Sequence, residues 1–260
     1  MNLQNRIDIH KYISGKIEEI SDEVITEYPL TIYLNDEELV TLLCSPDHLK
    51  ELAVGFLLSE GFIDEVDEAT SIDVFEDKGE IHVSTLIKRP LREKLMGKRT
   101  VTSGCGKGTS FYNVLDAVRS YRYKDSIEIM PKSVLQLMRE FNQSSTLFKE
   151  TGGTHGCALA SDDEILIHIE DIGRHNAMDK VIGKARLMGL DLGDKMVLTT
   201  GRVSSEILIK ACKQGIPVIA SRSAPTSLAV ELARETGITL IGFARGDKLN
   251  IYNNFPSIRI

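Results

Sequence analysis

From Pro131 onward, short and almost wholly apolar runs alternate with segments of helical period. This alternation constrains the fold more than any other feature of the chain. The runs are THGCALA (154–160), EILIHIE (164–170), KMVLTT (195–200), IPVIAS (216–221) and ITLIGFA (238–244). Apolar runs this short, bounded by turn residues, are the pattern of strands buried on both faces. Between them lie RHNAMDKVIGKARLMG, ending at Gly189, then RVSSEILIKACKQG and APTSLAVELARETG, each with helical spacing. Ahead of them PKSVLQLMREFNQSSTLF starts on Pro131 and puts Val134, Leu135, Met138 and Phe141 on one face. Strands alternating with helices in this way specify a sheet covered on both sides, a three-layer α/β/α unit over 131–260.

The first part of the chain reads differently. PLTIYL and LVTLLC flank the turn-like NDEE and predict a hairpin within residues 24–45. A helix follows Pro46, with Ser45 or Asp47 as its cap and Gly61 beyond its end. Leu49, Leu52, Ala53, Phe56 and Leu57 recur on one side of it. SIDVFEDKGEIHVSTL reads as a second hairpin around EDKGE. Residues 1–130 are therefore expected to form an α+β unit. It would end in the glycine-rich stretch TSGCGKGTS (102–110) and the helical segment FYNVLDAVRSYR.

Composition excludes some functions. The net charge is −7, against the basic face that a non-specific nucleic-acid binder needs. No apolar run approaches the roughly 18 residues of a membrane span, and MNLQNRIDIH does not look like a secretion leader. The four cysteines, Cys44, Cys105, Cys157 and Cys212, are widely spaced with no CxxC pair. A cytoplasmic protein with reduced thiols is expected, with no nucleic-acid or membrane partner.

Two features carry chemistry. The first is TSGCGKGTS, which places Cys105 among Gly104, Gly106 and Gly108 beside Lys107. A phosphate loop needs Ser or Thr after the Gly-Lys pair, and here Gly108 follows. The loop can present a thiol instead. Glycines clear the space around the sulfur, and Lys107 and a following helix N-terminus both favour the thiolate. The alternative is a small residue in a flexible loop. Cys44, Cys157 and Cys212 fall in apolar segments and read as buried, inert thiols.

The second feature is the set of loops EDIGRHNAMDK, TTGRVSSE and ASRSAPTS, each leaving a strand and opening a helix. Ligands of open α/β sheets sit at such strand ends. The loops bring Arg174, His175, Asn176, Thr200, Gly201, Arg202, Ser204, Ser205, Arg222, Ser223 and Thr226 to one edge. Three arginines suit an anionic, phosphorylated ligand; the competing explanation is helix capping with arginine ion pairs. The order of elements resembles the cytidine-deaminase fold, whose zinc enzymes open successive helices with HxE and PCxxC. Here those positions read RHNA and GRVSSE, so only His175 could ligate and no zinc is expected. His155 and His175 are read as polar ligand contacts or caps.

The segments TGGTHG, EDIGRHNAMDKVIG, TTGRVSSEILIKA, IPVIASRSAPTSLAVELA and GFARGDKLNIY, together with TSGCG, closely resemble the FdhD family, the formate dehydrogenase accessory sulfurtransferases. The resemblance runs from about residue 24 to the end. It implies an α+β domain joined to a deaminase-like α/β/α domain, and a homodimer. It implies a protein that takes sulfur from a cysteine desulfurase as a persulfide on a loop cysteine. That sulfur passes to the molybdenum cofactor, bis(molybdopterin guanine dinucleotide), before insertion into formate dehydrogenase. The family's loop commonly holds two cysteines; the first falls on Cys105 and the second position is Gly108. The family's cofactor-contacting stretch falls on Phe243, Ala244, Arg245, Gly246, Asp247 and Lys248, read here as following the last strand at the same edge as Arg174, His175, Arg202 and Arg222. Loss of the second cysteine leaves a second reading, a non-catalytic chaperone of the cofactor in which Cys105 is dispensable.

Overall fold

The computed structural model describes residues 1–87, the strand at 99–101 and residues 128–254. The loop TSGCGKGTS with Cys105, and the helix expected at FYNVLDAVRSYR, lie outside the described residues.

The chain opens with a hairpin of β1 (Gln4–Ile13) and β2 (Lys16–Ile25), which among the described residues pair only with each other. Sequence reasoning missed it, although Ile7 and Ile9 alternate with polar residues and Ser14-Gly15 supplies the left-handed turn. Next come β3 (Tyr28–Leu34) and β4 (Glu37–Cys44), the expected first hairpin. Helix α1 (Leu49–Glu60) is followed by the second hairpin, β5 (Ala69–Phe75) and β6 (Glu80–Thr85). With β7 (Arg99–Val101) these strands form a five-stranded sheet in the order β5-β6-β3-β4-β7. Gly61 ends α1 at φ 80°, as expected, and its N–H caps the carbonyl of Leu57. The start of α1 corrects the sequence reading. The capping position is His48, in the left-handed region at φ 49°, with no side-chain cap; Ser45 and Asp47 are engaged elsewhere.

The second half is built on a six-stranded sheet ordered β13-β12-β11-β10-β8-β9. Its parts, in chain order, are α2 (Pro131–Ser144), α3 (Thr146–Thr151), β8 (His155–Ala160), β9 (Ile165–Asp171), α4 (Arg174–Leu187), β10 (Met196–Thr199), α5 (Ser205–Lys213), β11 (Val218–Ser221), α6 (Ser227–Thr236), β12 (Thr239–Arg245) and β13 (Lys248–Asn253). Because strand side chains alternate between faces, neighbours in one strand join different cores. Ala158, Ala160, Leu198, Ala220 and Ile241 meet Val134, Met138 and Phe141 of α2. Cys157, Leu159, Val197, Ile219 and Leu240 join the cluster beneath α4, α5 and α6. The expected helix-covered sheet is thus present, with one adjustment: Leu137 is buried on α2 where Leu135 was expected, and Leu135 is half-buried.

One buried cluster runs from Leu30, Ile32 and Leu52 of the first half to Val181, Leu208 and Leu232 of the second. Helix α1 crosses α4 in its middle, and glycines permit the crossing. A Cβ on Gly55 would sit 1.8 Å from the Asp179 carbonyl oxygen, and one on Gly183 would sit 1.9 Å from that of Glu51. Among the described residues no helix is long and apolar enough to cross a membrane.

Candidate functional site

Sheet topology gathers the candidate residues. β9, β10, β11 and β12 all end at one edge, and antiparallel β8 begins there. The β8–β10 join is tied on both sides. Thr200 N–H donates to the Gly156 carbonyl (3.1 Å), and Gly156 N–H donates to Thr200 Oγ1 (3.0 Å). The next loop is held by Arg222 N–H on the Thr199 carbonyl (3.0 Å) and by Ser221 Oγ on the Gly201 carbonyl (2.7 Å). Phe243 N–H reaches the Ser223 carbonyl at 3.0 Å. Capping accounts for part of the hydroxyl set, since Ser204 accepts from Ile207 N–H and Thr226 from Ala229 N–H.

A cleft of about 530 Å³ opens at this edge. One wall is Phe148, Gly152, Gly153, Thr154 and His155; the other is Thr200, Arg222, Ser223, Phe243 and Arg245. Phe243 takes a left-handed backbone at φ 51°, and the Arg245 guanidinium lies over its ring, 5.6 Å from the centroid. A non-glycine residue held there is strained and is common where function fixes the backbone. Arg222 is exposed and donates to Asn142 Oδ1 (3.2 Å).

Behind the cleft stands a cationic group. Burial holds the His155 imidazole below its ordinary pKa; Arg174, His175 and Arg202 press it lower against the opposing pull of Asp171. His155 is therefore a neutral donor-acceptor at physiological pH. His175 Nε2 lies 3.1 Å from Glu206 Oε2. The alignment falls short of a hydrogen bond and leaves Nε2 without one among the described residues. That contact holds the Glu206 carboxyl below its ordinary range despite partial burial. Arg174 packs its stem against Gly201, and its buried Nε has no hydrogen-bond partner among the described residues. Within that same set, none of Arg174, Arg202, Arg222 and Arg245 forms an ion pair with a carboxylate. Among the described residues the ion-pair half of the capping explanation therefore finds no support, and the edge presents several cationic groups suited to an anion, with Glu206 the carboxylate beside them.

The sequence-predicted residues separate into three groups. His155, Thr200, Arg222, Ser223, Phe243 and Arg245 line the cleft. Arg174, His175 and Arg202 stand around His155 without lining it. Ala244 is buried in the core under α2, while Gly246, Asp247 and Lys248 are exposed. The stretch 243–248 does not follow the last strand. It spans the turn between β12 and β13, whose pairing resumes at Arg245 and Lys248. Phe148 and Thr154 were missed as liners. The segment TGGTHG was the available signal for Thr154; nothing local marked Phe148.

The described cysteines are poor sulfur carriers. Cys44, Cys157 and Cys212 are all buried. Burial first, then the Asp171 carboxylate, pushes the Cys44 thiol up to about 12, and burial also raises Cys157. The thiolate is the nucleophile, and these sites suppress it. Among the described residues no cluster of three or more His, Cys, Asp or Glu could hold a metal ion.

Residues 25–259 match the family model described as the FdhD/NarQ family. The chain belongs to that family. Members resemble it over their whole length. A Listeria innocua protein called sulfur carrier protein FdhD is 44% identical over 260 residues, covering 99% of this chain and 100% of the relative. A Bacillus subtilis protein of the same name is 41% identical, covering 97% and 96%. In three dimensions the chain is similar to a crystallised protein from Desulfotalea psychrophila described as a formate dehydrogenase accessory protein. The TM-score is 0.82 at 29% identity, with 99% of this chain and 100% of that one covered. The hairpin β1–β2 lies almost wholly ahead of the part that defines the family, whereas the cleft lies within it.

Proposed function

We propose that this chain is a sulfur carrier in the maturation of a formate dehydrogenase, acting as a persulfide sulfurtransferase through Cys105. The observation that carries the assignment of the thiol is elimination: the other three cysteines are buried. The Cys105 thiolate attacks the outer sulfur of a cysteine desulfurase persulfide. The donor's S–S bond breaks, the donor cysteine leaves as thiolate, and a new S–S bond forms on Cys105. The acceptor is the molybdenum cofactor, bis(molybdopterin guanine dinucleotide), bound as substrate. Arg222 and Arg245 face its phosphates, Phe243 offers a ring to a guanine, and Arg174, His175 and Arg202 add positive charge behind them. The second unit is read as deaminase-like, and the protein as a cytoplasmic homodimer.

Intact-mass measurement after incubation with a cysteine desulfurase and cysteine tests this. The wild type is expected to gain a reducible sulfur that Cys105→Ala does not gain. Equal labelling of both proteins, or of neither, removes Cys105 as carrier. Gly108, standing where the family's second cysteine falls, favours one other reading, a cofactor chaperone; that reading requires Cys105→Ala to support full formate dehydrogenase activity.

A further inference from the structure

The Phe148–His155 wall of the cleft has little to hold it. Helix α3 has six residues, too few to be stable alone, and buries only Leu147. Beyond it Gly152 turns through φ +66° and Gly153 is exposed. Ile25 of the N-terminal hairpin rests on Gly153, and Gln4 donates to Glu150 on the surface.

The firmest tie comes from across the sheet. One carboxylate, Glu170 near the end of β9, accepts from Leu147 N–H (3.0 Å), Phe148 N–H (2.8 Å) and Thr154 Oγ1 (2.9 Å). Two bonds lie at the first turn of α3, where backbone donors have no helical partner and the helix dipole favours an anion. The third lies at the far end of the wall, beside His155. Glu170 itself is fixed by strand pairing, opposite Gly156 of β8. It therefore references both ends of the wall to the sheet whose strand ends also carry Arg222, Phe243 and Arg245.

We propose that Glu170 is a positioning residue of the cleft, setting the spacing between the Phe148–Thr154 wall and the arginine-bearing wall and so the affinity for the ligand's guanine nucleotide part. This rests on the reading of the cleft as the cofactor site. Glu170 touches no ligand; it acts through Leu147, Phe148 and Thr154, which it binds directly. The variant Glu170→Gln keeps the size but turns an amide NH2 toward groups that are themselves donors.

The test is calorimetric titration of the full-length protein with GDP, together with amide hydrogen exchange over residues 145–155. For Glu170→Gln we expect GDP affinity to fall about tenfold, the scale of one charge-assisted hydrogen bond. Exchange should quicken at Leu147 and Phe148 while the β10–β12 amides keep their protection. Thr154→Val removes a single tie, serves where Glu170→Gln fails to fold, and should give a smaller loss of the same kind. Glu170→Asp, with the carboxylate retained, should recover part of the affinity. Unchanged GDP affinity in both Glu170→Gln and Thr154→Val, or unchanged exchange at Leu147 and Phe148, overturns the proposal. Failure of the wild type to bind GDP instead overturns the nucleotide reading, and the affinity claim falls with it.

Discussion

The seam between α1 and α4 and the rim of the cleft both use charge and glycine, to opposite ends. At the seam the buried charges Asp171, Asp179, Lys180 and Lys210 all have partners. Lys180, fully buried, touches Asp171 Oδ2 and Asp47 Oδ1 at 2.7 Å and donates to the Ser45 carbonyl and hydroxyl. Burial alone would lower its pKa; the two carboxylates outweigh that and raise it. One residue earlier along α4, Asp179 holds Lys210 with both oxygens, at 2.8 and 2.7 Å, and accepts from Ser59 Oγ at 2.7 Å. Burial pushes the Asp179 carboxyl up while Lys210 and Ser59 pull it back. With both oxygens so close to the ammonium, we read the pair as ionised. At the rim, by contrast, no arginine among the described residues forms an ion pair with a carboxylate, although Arg174, after His175, helps hold the Glu206 carboxyl low. The seam is closed chemistry that fixes how the halves meet, and the rim is open chemistry awaiting an anion.

Damage should therefore differ in kind between the two. The largest effect is expected at Gly55→Ala, where the new methyl meets backbone that cannot swing aside. Denaturant unfolding should show a loss above about 4 kcal/mol, the exceptional end of single-site changes; a loss below 1 kcal/mol would mean the helices separate easily. Next comes Asp171→Ala, which leaves the Lys180 ammonium with Asp47 as its remaining carboxylate. A cost of about 3 kcal/mol is expected, and a neutral result would show that water enters the seam.

Smaller effects belong to the rim. His155 should titrate below the ordinary histidine value of about 6.5, because burial and then Arg174 disfavour its charged form. A depressed folded pKa gives a stability contribution that is complete above the unfolded value and is lost as pH falls through the folded one. Acidification below about 6.5 should thus begin to cost stability through this residue. NMR of the ring should show the low midpoint, and Arg174→Gln should raise it; a midpoint above the ordinary value would contradict the cationic surroundings. Smallest in stability is Arg222→Ala, expected within about 0.5 kcal/mol of wild type because the side chain is exposed. Anion binding in the cleft should nevertheless weaken and lose salt sensitivity. Equal binding by this variant would detach Arg222 from the site.

Much of this was legible because it is local. Strand and helix periods fixed the five elements from β10 to β12 with small errors at their ends but not β13, and each of the loops with Arg174, Arg202 and Arg222 falls where a strand gives way to a helix. The burial of Cys44, Cys157 and Cys212 was also legible locally, since they sit in apolar segments. The misses have a common cause. Ser45 and Asp47 look like helix caps, yet they serve a lysine more than 130 positions away. Phe148 looks like any residue of a short helix until Glu170 anchors it from another strand.

The sequence by itself determined most of the strands and helices between β3 and β12, that the second sheet is covered on both faces, and which edge collects Arg174, Arg202 and Arg222. Periodicity and turn chemistry act over a few residues and leave their mark in the order of amino acids. Only the tertiary structure decided that Glu170 faces the cleft wall while Asp171, its neighbour, faces the seam. Side chains alternate by a rule any strand obeys. What each carboxylate meets depends on helices brought there from far along the chain, and no local pattern records that meeting.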